Sequence, residues 1–443
     1  IKPIIKNNKI ITIDISIDNM NITLRDSYLI LPSSLDKLAK NFGVENKLLF
    51  PLFLLNRVDI NSIKTMPVKD DFPNISDDEY KTYISKYDNI YNLKDELIKY
   101  CNNDCIILYQ IMKIFSRIMF NTYKIDINRY PTLTSITFAI FRMKYLIPKT
   151  VLLTTKTLYD SLHIGYLGGH TDMYKPYGES IYRYDVNSLY PYIMKNYPMP
   201  GKYMKTFVGD ISILDDIILK LKNNINNKIN MDIFIECNIT DLFNSDIINK
   251  MSSKKVFNTI KNIKGDKDIY KIATNGKLPY GLYLIEVDAD IKINKPIIIT
   301  KYRNNNIMSN VAPVGTFNTI AHSAEIEYAK SLGYKINILK GYIFGKSYHF
   351  SNYIDKLYTQ KKNSDKNTPM YLISKLLMNS LYGRFGMSPY LNTSTIVDKY
   401  DILKYVDNDN ITVMDIIDLN NSKYIVSYFD RINADSTFKM HNI

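Results

Sequence analysis

The chain contains no tryptophan and very little cysteine or histidine: its 443 residues include three cysteines and five histidines. Three cysteines cannot build a disulfide framework, and no cysteine and histidine cluster has the spacing of a zinc site. The sequence also has no run of eighteen uncharged apolar residues and no secretory signal peptide. These absences exclude a disulfide-rich secreted protein and a zinc-binding module, and we expect no membrane span and no membrane partner.

Positive charge is in excess, with 57 lysine and arginine residues against 44 acidic ones, a formal net charge of +13 and a pI of about 9.1. Such a balance favours a polyanionic partner, with nucleic acid ahead of an anionic membrane surface. Isoleucine, asparagine, lysine and tyrosine are abundant. Because their codons are A/T-rich, this bias indicates an A/T-rich gene and says little about the fold.

Periodic patterns predict a mixture of strands and helices. Alternation of large and polar residues predicts strands in residues 9–17, 21–31, 230–239, 280–293 and 334–344. Helical spacing predicts helices after Ser33 and in residues 93–118, 323–333, 351–362 and 369–382, and residues 60–90 are expected to form a polar loop. With 46% hydrophobic residues, the chain can build two or three cores, so we predict an α+β protein with several subdomains.

The segment "YRYDVNSLYPYIM", residues 182–194, has a pattern that could serve catalysis. Alternation in 182–186 predicts a strand that ends near Asp185, and Asn187 and Ser188 can cap a helix whose first turn contains Pro191. A carboxylate beside the N–H groups of a helix start can hold a divalent metal next to a phosphate chain. The alternative is an ordinary capped junction between a strand and a helix.

A second segment, "KLLMNSLYGRFGM", residues 375–387, places three functional side chains on one helical face. Lys375, Asn379 and Tyr382 stand at positions i, i+4 and i+7, and Gly383 is predicted to end the helix. An ammonium group, an amide and a phenol ring together suit a nucleoside triphosphate. The alternative is a solvent-exposed helix face that carries a lysine and an asparagine by chance.

Tyr100 and Asp104 also lie one helical turn apart, on the side of the predicted helix that faces the core. An ionised carboxylate on such a face is costly unless it meets a metal or a cation. The alternative is an exposed polar patch within a long helix.

Taken together and in this order, these segments resemble the motifs of family B DNA polymerases, and most closely those of the protein-primed branch found in phages and linear mitochondrial plasmids. Asp-Val-Asn-Ser-Leu-Tyr-Pro resembles motif A, and Lys-x-x-x-Asn-Ser-x-Tyr-Gly resembles motif B. "YLGGH", residues 166–170, is similar to the Tyr-x-Gly-Gly segment of that branch. Tyr100-x-x-x-Asp104 resembles the third 3′–5′ exonuclease motif, and Lys47 matches an accessory lysine of the stretch before it.

The resemblance implies an α+β, multi-subdomain fold: a truncated RNase H-like 3′–5′ exonuclease domain, then a polymerase palm and fingers, with the thumb missing. The implied division is an exonuclease-like domain in 1–125, a connecting segment in 126–180, a palm in 181–305, an insertion resembling a terminal-protein region in 306–347, fingers in 348–387, and a second insertion with the start of the return to the palm in 388–443.

The resemblance also implies a DNA-directed DNA polymerase that uses Mg²⁺ or Mn²⁺. It implies that Asp185 is the catalytic residue. The implied metal ligands are Asp185, the Val186 carbonyl and Asp104. The implied contacts are Val186, Ser188, Leu189, Tyr190, Lys375, Asn379 and Tyr382 for the nucleotide; Tyr166, Gly168, Gly169 and Gly383 for DNA; and Tyr100, Asp104 and Lys47 for the exonuclease-like site. Within the nucleotide set, Tyr190 would exclude a ribose 2′-hydroxyl by steric clash. The implied partners are template and primer DNA, dNTPs and a terminal priming protein, in a mitochondrion or, alternatively, in a virus or bacterium.

Two parts of the family pattern are missing from the sequence. The Asp-Thr-Asp motif of the polymerase site is absent, since Asp435 near the end has no paired aspartate, and the Asp-x-Glu exonuclease motif is absent, since Asp14 lacks its glutamate. One carboxylate should not hold two magnesium ions against water. We therefore expect a fragment that is inactive alone. The alternatives are a non-catalytic remnant that binds at most nucleic acid and, with less support, a stand-alone exonuclease.

Overall fold

The protein is described by a computed structural model that covers residues 2–6, 9–63, 65–148, 150–151, 154–208, 278–304, 307–386, 393–420 and 422–430. The strand predicted in residues 230–239 and the segment around Asp435 lie outside the described residues. Within the described part, residues up to 145 and from 352 onwards form one compact unit, and residues 146–351 form a second.

Strands and helices occur in runs along the described part of the chain. The strands are β1 (Lys2–Lys6), β2 (Lys9–Ile17), β3 (Met20–Arg25), β4 (Met199–Val208), β5 (Gly281–Ala289), β6 (Thr300–Asn304), β7 (Ile307–Val311), β8 (Gly315–His322), β9 (Lys335–Ser347), β10 (Thr393–Asp398), β11 (Ile411–Asp418) and β12 (Lys423–Asp430). The helices are α1 (Leu35–Phe42), α2 (Asp77–Ile84), α3 (Leu93–Tyr123), α4 (Leu133–Lys144), α5 (Lys156–His163), α6 (Leu189–Asn196), α7 (Ser323–Ser331), α8 (Ser351–Lys362), α9 (Pro369–Phe385) and α10 (Leu403–Val406).

The first unit combines two small antiparallel sheets with a group of helices. One sheet has the order β1-β2-β3 and the other the order β10-β12-β11. Helix α3 buries Ile107, Ile111 and Phe115, which recur at a spacing of four residues and so lie on one face. Helix α1 buries Leu38 and Phe42 in the same way. The long helix that the sequence predicts is confirmed, and it supplies the core that positions Tyr100 and Asp104.

Residues 60–90, which were expected to form a polar loop, contain helix α2. Ser76 caps this helix: its hydroxyl accepts from the N–H of Glu79 at 3.3 Å, and the Glu79 carboxylate accepts from the N–H of Ser76 at 3.0 Å. This reciprocal arrangement satisfies two of the backbone donors that a helix start leaves open. The expectation of a loop was wrong because the polar residues here are capping residues, which favour a helix start.

The second unit is built on a four-stranded antiparallel sheet in the order β4-β9-β5-β8, with β6 and β7 as a separate hairpin. Along β5, alternate residues Tyr283, Ile285 and Val287 are buried. This period of two confirms the strand predicted there. Strands β8 and β9 come from the predicted insertion, residues 306–347, and pair in the same sheet as β4 and β5. The six-part division itself stays a prediction.

None of the helices in the described ranges is both long enough and apolar enough to cross a membrane.

Candidate functional site

In the first unit, Lys47, Tyr100 and Asp104 come together. The Lys47 ammonium lies 3.4 Å from the Asp104 carboxylate and 5.1 Å from the centre of the Tyr100 ring. The Phe50 ring stacks on the Tyr100 ring, with 5.1 Å between ring centres. The backbone N–H of Leu48 donates to the Asn103 side chain at 3.2 Å and so ties the lysine segment to α3. The structure therefore assembles the three residues of the predicted exonuclease-like set.

Electrostatics in this cluster fit a pair of opposite charges. Burial alone would lower the pKa of Lys47, but its contacts with Tyr100 and Asp104 hold that pKa above its usual value. The second carboxylate oxygen of Asp104, Oδ1, is buried and has no hydrogen-bond partner. A buried acceptor without a donor is costly. Asp104 is thus half satisfied, by Lys47 on one oxygen only.

In the second unit, helix α6 begins just after Asp185, as the sequence predicts. Ser188 stands at the N-cap with φ of +55° and ψ of +50°, the left-handed region that serine rarely adopts. Its side chain makes no capping hydrogen bond, so the predicted hydroxyl cap was wrong. The helix instead starts from the left-handed backbone conformation of Ser188. Pro191 is buried in the first turn of the helix.

The strand predicted in residues 182–186 does not form. These residues are irregular and exposed, and Asp185 is exposed with them. A strand needs a neighbour to pair its N–H and C=O groups, and within the described residues no strand pairs with this segment. The alternation in the sequence was therefore not sufficient to predict a strand.

The described residues do not fit a two-metal site at Asp185. Across the described ranges, no group of three or more histidine, cysteine, aspartate or glutamate side chains could hold a metal ion. Magnesium is usually held by one or two carboxylates together with waters or phosphates. Asp185 alone supplies one such ligand, so the metal roles of Asp185, Val186 and Asp104 stay predictions.

The segment at 166–170 is fastened to strand β7 and approaches α6. Asn310 donates from its side-chain amide to the Gly168 carbonyl at 3.1 Å, and its own carbonyl lies 3.2 Å from Nδ1 of His170. A Cβ atom on Gly169 would stand 3.4 Å from the Tyr190 hydroxyl, about van der Waals distance. The structure thus brings Gly169 near Tyr190, the tyrosine of the predicted nucleotide site.

Gly165 and Asn310 belong to this arrangement, although the sequence does not single them out. A Cβ on Gly165 would fall 2.7 Å from the Ile320 Cβ, so only glycine fits there. The remaining predicted residue of this segment, Tyr166, stacks on His163 with ring centres 5.9 Å apart. The position of Gly165 directly before "YLGGH" was a usable signal in the sequence, whereas nothing in the sequence marks Asn310.

Helix α9 presents the predicted nucleotide-binding face. Lys375, Asn379 and Tyr382 are exposed, as their spacing predicts. The opposite face is buried through Ile373, Ser374, Leu377, Met378 and Leu381. The Tyr353 hydroxyl of α8 donates to the Leu377 carbonyl at 2.9 Å. These contacts fix the rotation of the helix and so keep the functional face outward.

Gly383 does not end this helix, contrary to the prediction. Helix α9 continues to Phe385, and Gly386 follows its last turn. Phe385 packs edge-on against Phe138 and Phe141 of α4, with ring centres 5.7 and 5.8 Å apart. Glycine within a helix costs about 1 kcal/mol relative to alanine. The aromatic packing offsets that cost and holds the last turn in place.

The sequence matches the family model of the organellar and viral type B DNA polymerases over residues 1–209 and 245–441. The chain belongs to this family. This family B polymerase chain is 34% identical over 407 residues to a probable DNA polymerase of Neurospora intermedia, covering 88% of the chain and 36% of that protein. It is 34% identical over 394 residues to a probable DNA polymerase of Ascobolus immersus, covering 86% and 27%. The polymerase chain thus spans about a third of the length of these two relatives.

Among solved structures, the family B polymerase chain is similar to Phi29 DNA polymerase complexed with single-stranded DNA. The TM-score is 0.50 at 16% sequence identity, and the match covers 100% of this chain and 60% of that one. This likeness shows the fold: a mixed α and β structure that corresponds to part of a family B polymerase. The family resemblance drawn from the motifs is confirmed.

Proposed function

We propose that this chain is the part of a DNA-directed DNA polymerase that binds the incoming dNTP and the primer–template DNA. The observation that carries the proposal is the face of α9, where Lys375, Asn379 and Tyr382 are exposed together while the opposite face is buried. Membership of the type B polymerase family supports the same function. The net charge of +13 suits a polyanionic substrate.

Each residue of the proposed nucleotide site has a chemical role. Lys375 would pair with the triphosphate, because an ammonium group forms strong charge-assisted hydrogen bonds with phosphate oxygens. Asn379 and Tyr382 would shape the pocket around sugar and base. Ser188 and Leu189, at the start of α6, would offer backbone N–H groups to the phosphates. Tyr190 would discriminate against a 2′-hydroxyl by steric clash.

On the DNA side, Tyr166, Gly168, Gly169 and Gly383 would approach the strands closely with ring or backbone. The set Lys47, Tyr100 and Asp104 would belong to a 3′–5′ exonuclease-like site. We further propose initiation on a priming protein and a mitochondrial setting. Because the described residues supply one exposed carboxylate at Asp185, this chain alone should not extend a primer with Mg²⁺ or Mn²⁺.

The Lys375→Ala variant tests the nucleotide site. The variant loses a charged hydrogen bond to phosphate, which is worth about 1.5–3 kcal/mol. The affinity of dNTP for the complex of the chain with primer–template DNA should therefore fall roughly 10- to 100-fold. The measurement is a titration with a fluorescent dNTP. Lys356→Ala, which removes an exposed lysine from α8, is the matched control and should leave the affinity unchanged.

Further binding measurements separate the proposed nucleotide site from the alternative of a non-catalytic remnant. A nucleoside without phosphates should bind wild type and Lys375→Ala alike, because the lost contact is to phosphate. Equal dNTP affinity in Lys375→Ala and Lys356→Ala would reject the role of Lys375. Absence of any dNTP and DNA binding by the wild-type chain would instead support a non-catalytic remnant.

A further inference from the structure

The last turn of α9 and helix α4 share an aromatic contact, and an arginine from each helix lies near the same ring. Phe385 of α9 packs on Phe138 of α4. On the same Phe138 ring lie two guanidinium groups, that of Arg384 at 5.1 Å from the ring centre and that of Arg142 at 5.9 Å. Both distances are within the range of a cation–π contact.

The two guanidinium groups near this ring carry like charges, which repel each other. The pKa of Arg384 lies below its usual value, first because of burial and second because of the neighbouring Arg142 charge. Among the described residues, no carboxylate lies within ion-pairing distance of Arg142. An anion within reach of both guanidinium groups would offset this repulsion.

We infer that Arg142 and Arg384 together bind one phosphate group of a nucleic-acid strand held at the end of α9. This inference rests on the proposed function, because it takes the DNA that the polymerase binds as the source of the phosphate. Guanidinium groups suit this ligand, since each presents N–H donors in a fork that matches phosphate oxygens. The site adds a contact from α4, a helix to which no motif of the family was assigned.

The neighbouring lysine of α4 has a different task. Lys144 donates to the Thr122 carbonyl at 2.9 Å and lies over the Tyr123 ring at 5.4 Å, so it joins α4 to the end of α3. The phosphate site therefore rests on the two arginines.

A structural role for the arginines is the competing explanation. Arg142 and Arg384 stand in the last turns of α4 and α9, where a cation is favourable by about 0.3–1 kcal/mol because it opposes the helix dipole. This effect needs only one cation at each helix end. It does not account for two guanidinium groups on the same ring, and it predicts a loss of stability without a loss of DNA affinity.

The experiment measures binding of a fluorescein-labelled single-stranded oligonucleotide to the whole chain by fluorescence anisotropy, over a range of salt concentrations. Arg142→Ala and Arg384→Ala should each weaken binding about 5- to 20-fold at fixed salt. Each should also reduce the slope of log K against log salt by about 0.7, the value for one phosphate contact on a single strand. Arg129→Ala is the matched control, because Arg129 is exposed and pairs with Asp126 at 3.7 Å.

The double variant Arg142→Ala/Arg384→Ala provides the decisive comparison. If both arginines bind one phosphate, the double variant should lose clearly less affinity than the product of the two single losses. Multiplicative losses would overturn the shared site. Thermal unfolding followed by circular dichroism identifies variants that fail to fold, and Arg142→Lys and Arg384→Lys, which keep the charge, should retain most of the salt slope.

The remaining outcomes separate this inference from the proposed function. If the wild-type chain binds DNA and both arginine variants bind like Arg129→Ala, the phosphate site is rejected while the proposed function stands. If the wild-type chain binds no DNA, the proposed function fails, and the inference fails with it.

Discussion

At the residue scale, the pair of Lys47 and Asp104 shows how distant segments create a charged site. The two groups lie 3.4 Å apart, and each is about two-thirds or more buried, with exposed fractions of 31% and 25%. Partial burial strengthens the attraction and also makes an unpaired group costly. The pair therefore links the loop before α2 to the face of α3 on which Tyr100 lies.

Asp104→Asn should lower the pKa of Lys47, because the carboxylate is one of the groups that hold it above its usual value. The lysine of the variant should then react faster with an acylating reagent near pH 9, as measured by mass spectrometry of the labelled peptide. Lys40, which is exposed on α1, serves as the internal reference. An unchanged Lys47 labelling rate would show that Asp104 does not stabilise the ammonium form.

The same pair has a defined effect on stability against pH. The pKa of Lys47 is higher in the folded protein than in the unfolded chain, where it is about 10.4. Its contribution is therefore fully present below the unfolded value and is lost as the pH rises through the folded value. We expect urea denaturation of the wild type to show this loss only on the alkaline side, and Asp104→Asn to show less of it.

At the element scale, packing decided where helices begin and end. Helix α9 runs past Gly383 because Phe385 packs against two rings of α4. Helix α6 starts at a left-handed serine and not at a hydroxyl cap. In both cases the local sequence allowed the element, and contacts with other segments set its limits.

Two glycine substitutions test this view of the elements. A Cβ on Gly383 meets no atom within 4 Å, so Gly383→Ala should stabilise the protein by about 0.5–1 kcal/mol by favouring the helix. A Cβ on Gly165 would lie 2.7 Å from Ile320, so Gly165→Ala should destabilise it by about 1–3 kcal/mol. Urea unfolding followed by circular dichroism measures both, and shifts of the same sign would contradict this assignment.

Gly383→Ala also separates folding from binding. If the backbone at Gly383 approaches DNA closely, the variant should bind primer–template DNA more weakly although it is more stable. Unchanged affinity, measured by fluorescence anisotropy, would remove Gly383 from the proposed DNA-binding set and leave its helix role intact.

At the scale of the whole molecule, charge and family membership are the strongest guides to function. The chain has a net charge of +13 and belongs to the type B polymerases. Charge of this kind gives a nucleic-acid affinity that depends on the release of counterions and therefore on salt. The two compact units each carry part of the proposed machinery, the α9 face in one and α6 with the glycine segment in the other.

Single-stranded DNA binding by the chain should therefore fall steeply with salt. Four phosphate contacts would give a slope of log K against log salt of about −3, which is a loss of roughly 50-fold between 50 and 200 mM. Filter binding or anisotropy measures this slope. A peptide nucleic acid of the same base sequence, which has no phosphates, is the control and should bind weakly at every salt concentration. A salt-independent affinity for DNA would contradict phosphate-driven binding.

Much of the element structure could be predicted because it depends on local periodicity. The spacing of apolar residues in α3, the alternation in β5 and the exposed face of Lys375, Asn379 and Tyr382 follow from the geometry of one helix or strand. The strand expected at 182–186 was wrong, because a strand also needs a partner that no local pattern supplies. The cluster at Lys47 followed from the family resemblance, and its distances came only with the structure.

By itself, the sequence determined the helices and strands with strong periodicity, the motifs that mark the type B polymerase family, and the positive charge that suits nucleic acid. Tertiary structure alone decided the contact of Asn310 with Gly168, the approach of Gly169 to Tyr190, and the meeting of Arg142 with Arg384 on Phe138. The physical reason is that periodicity is a property of neighbouring residues. These contacts instead join segments far apart in the chain, and they form only when buried surfaces pack.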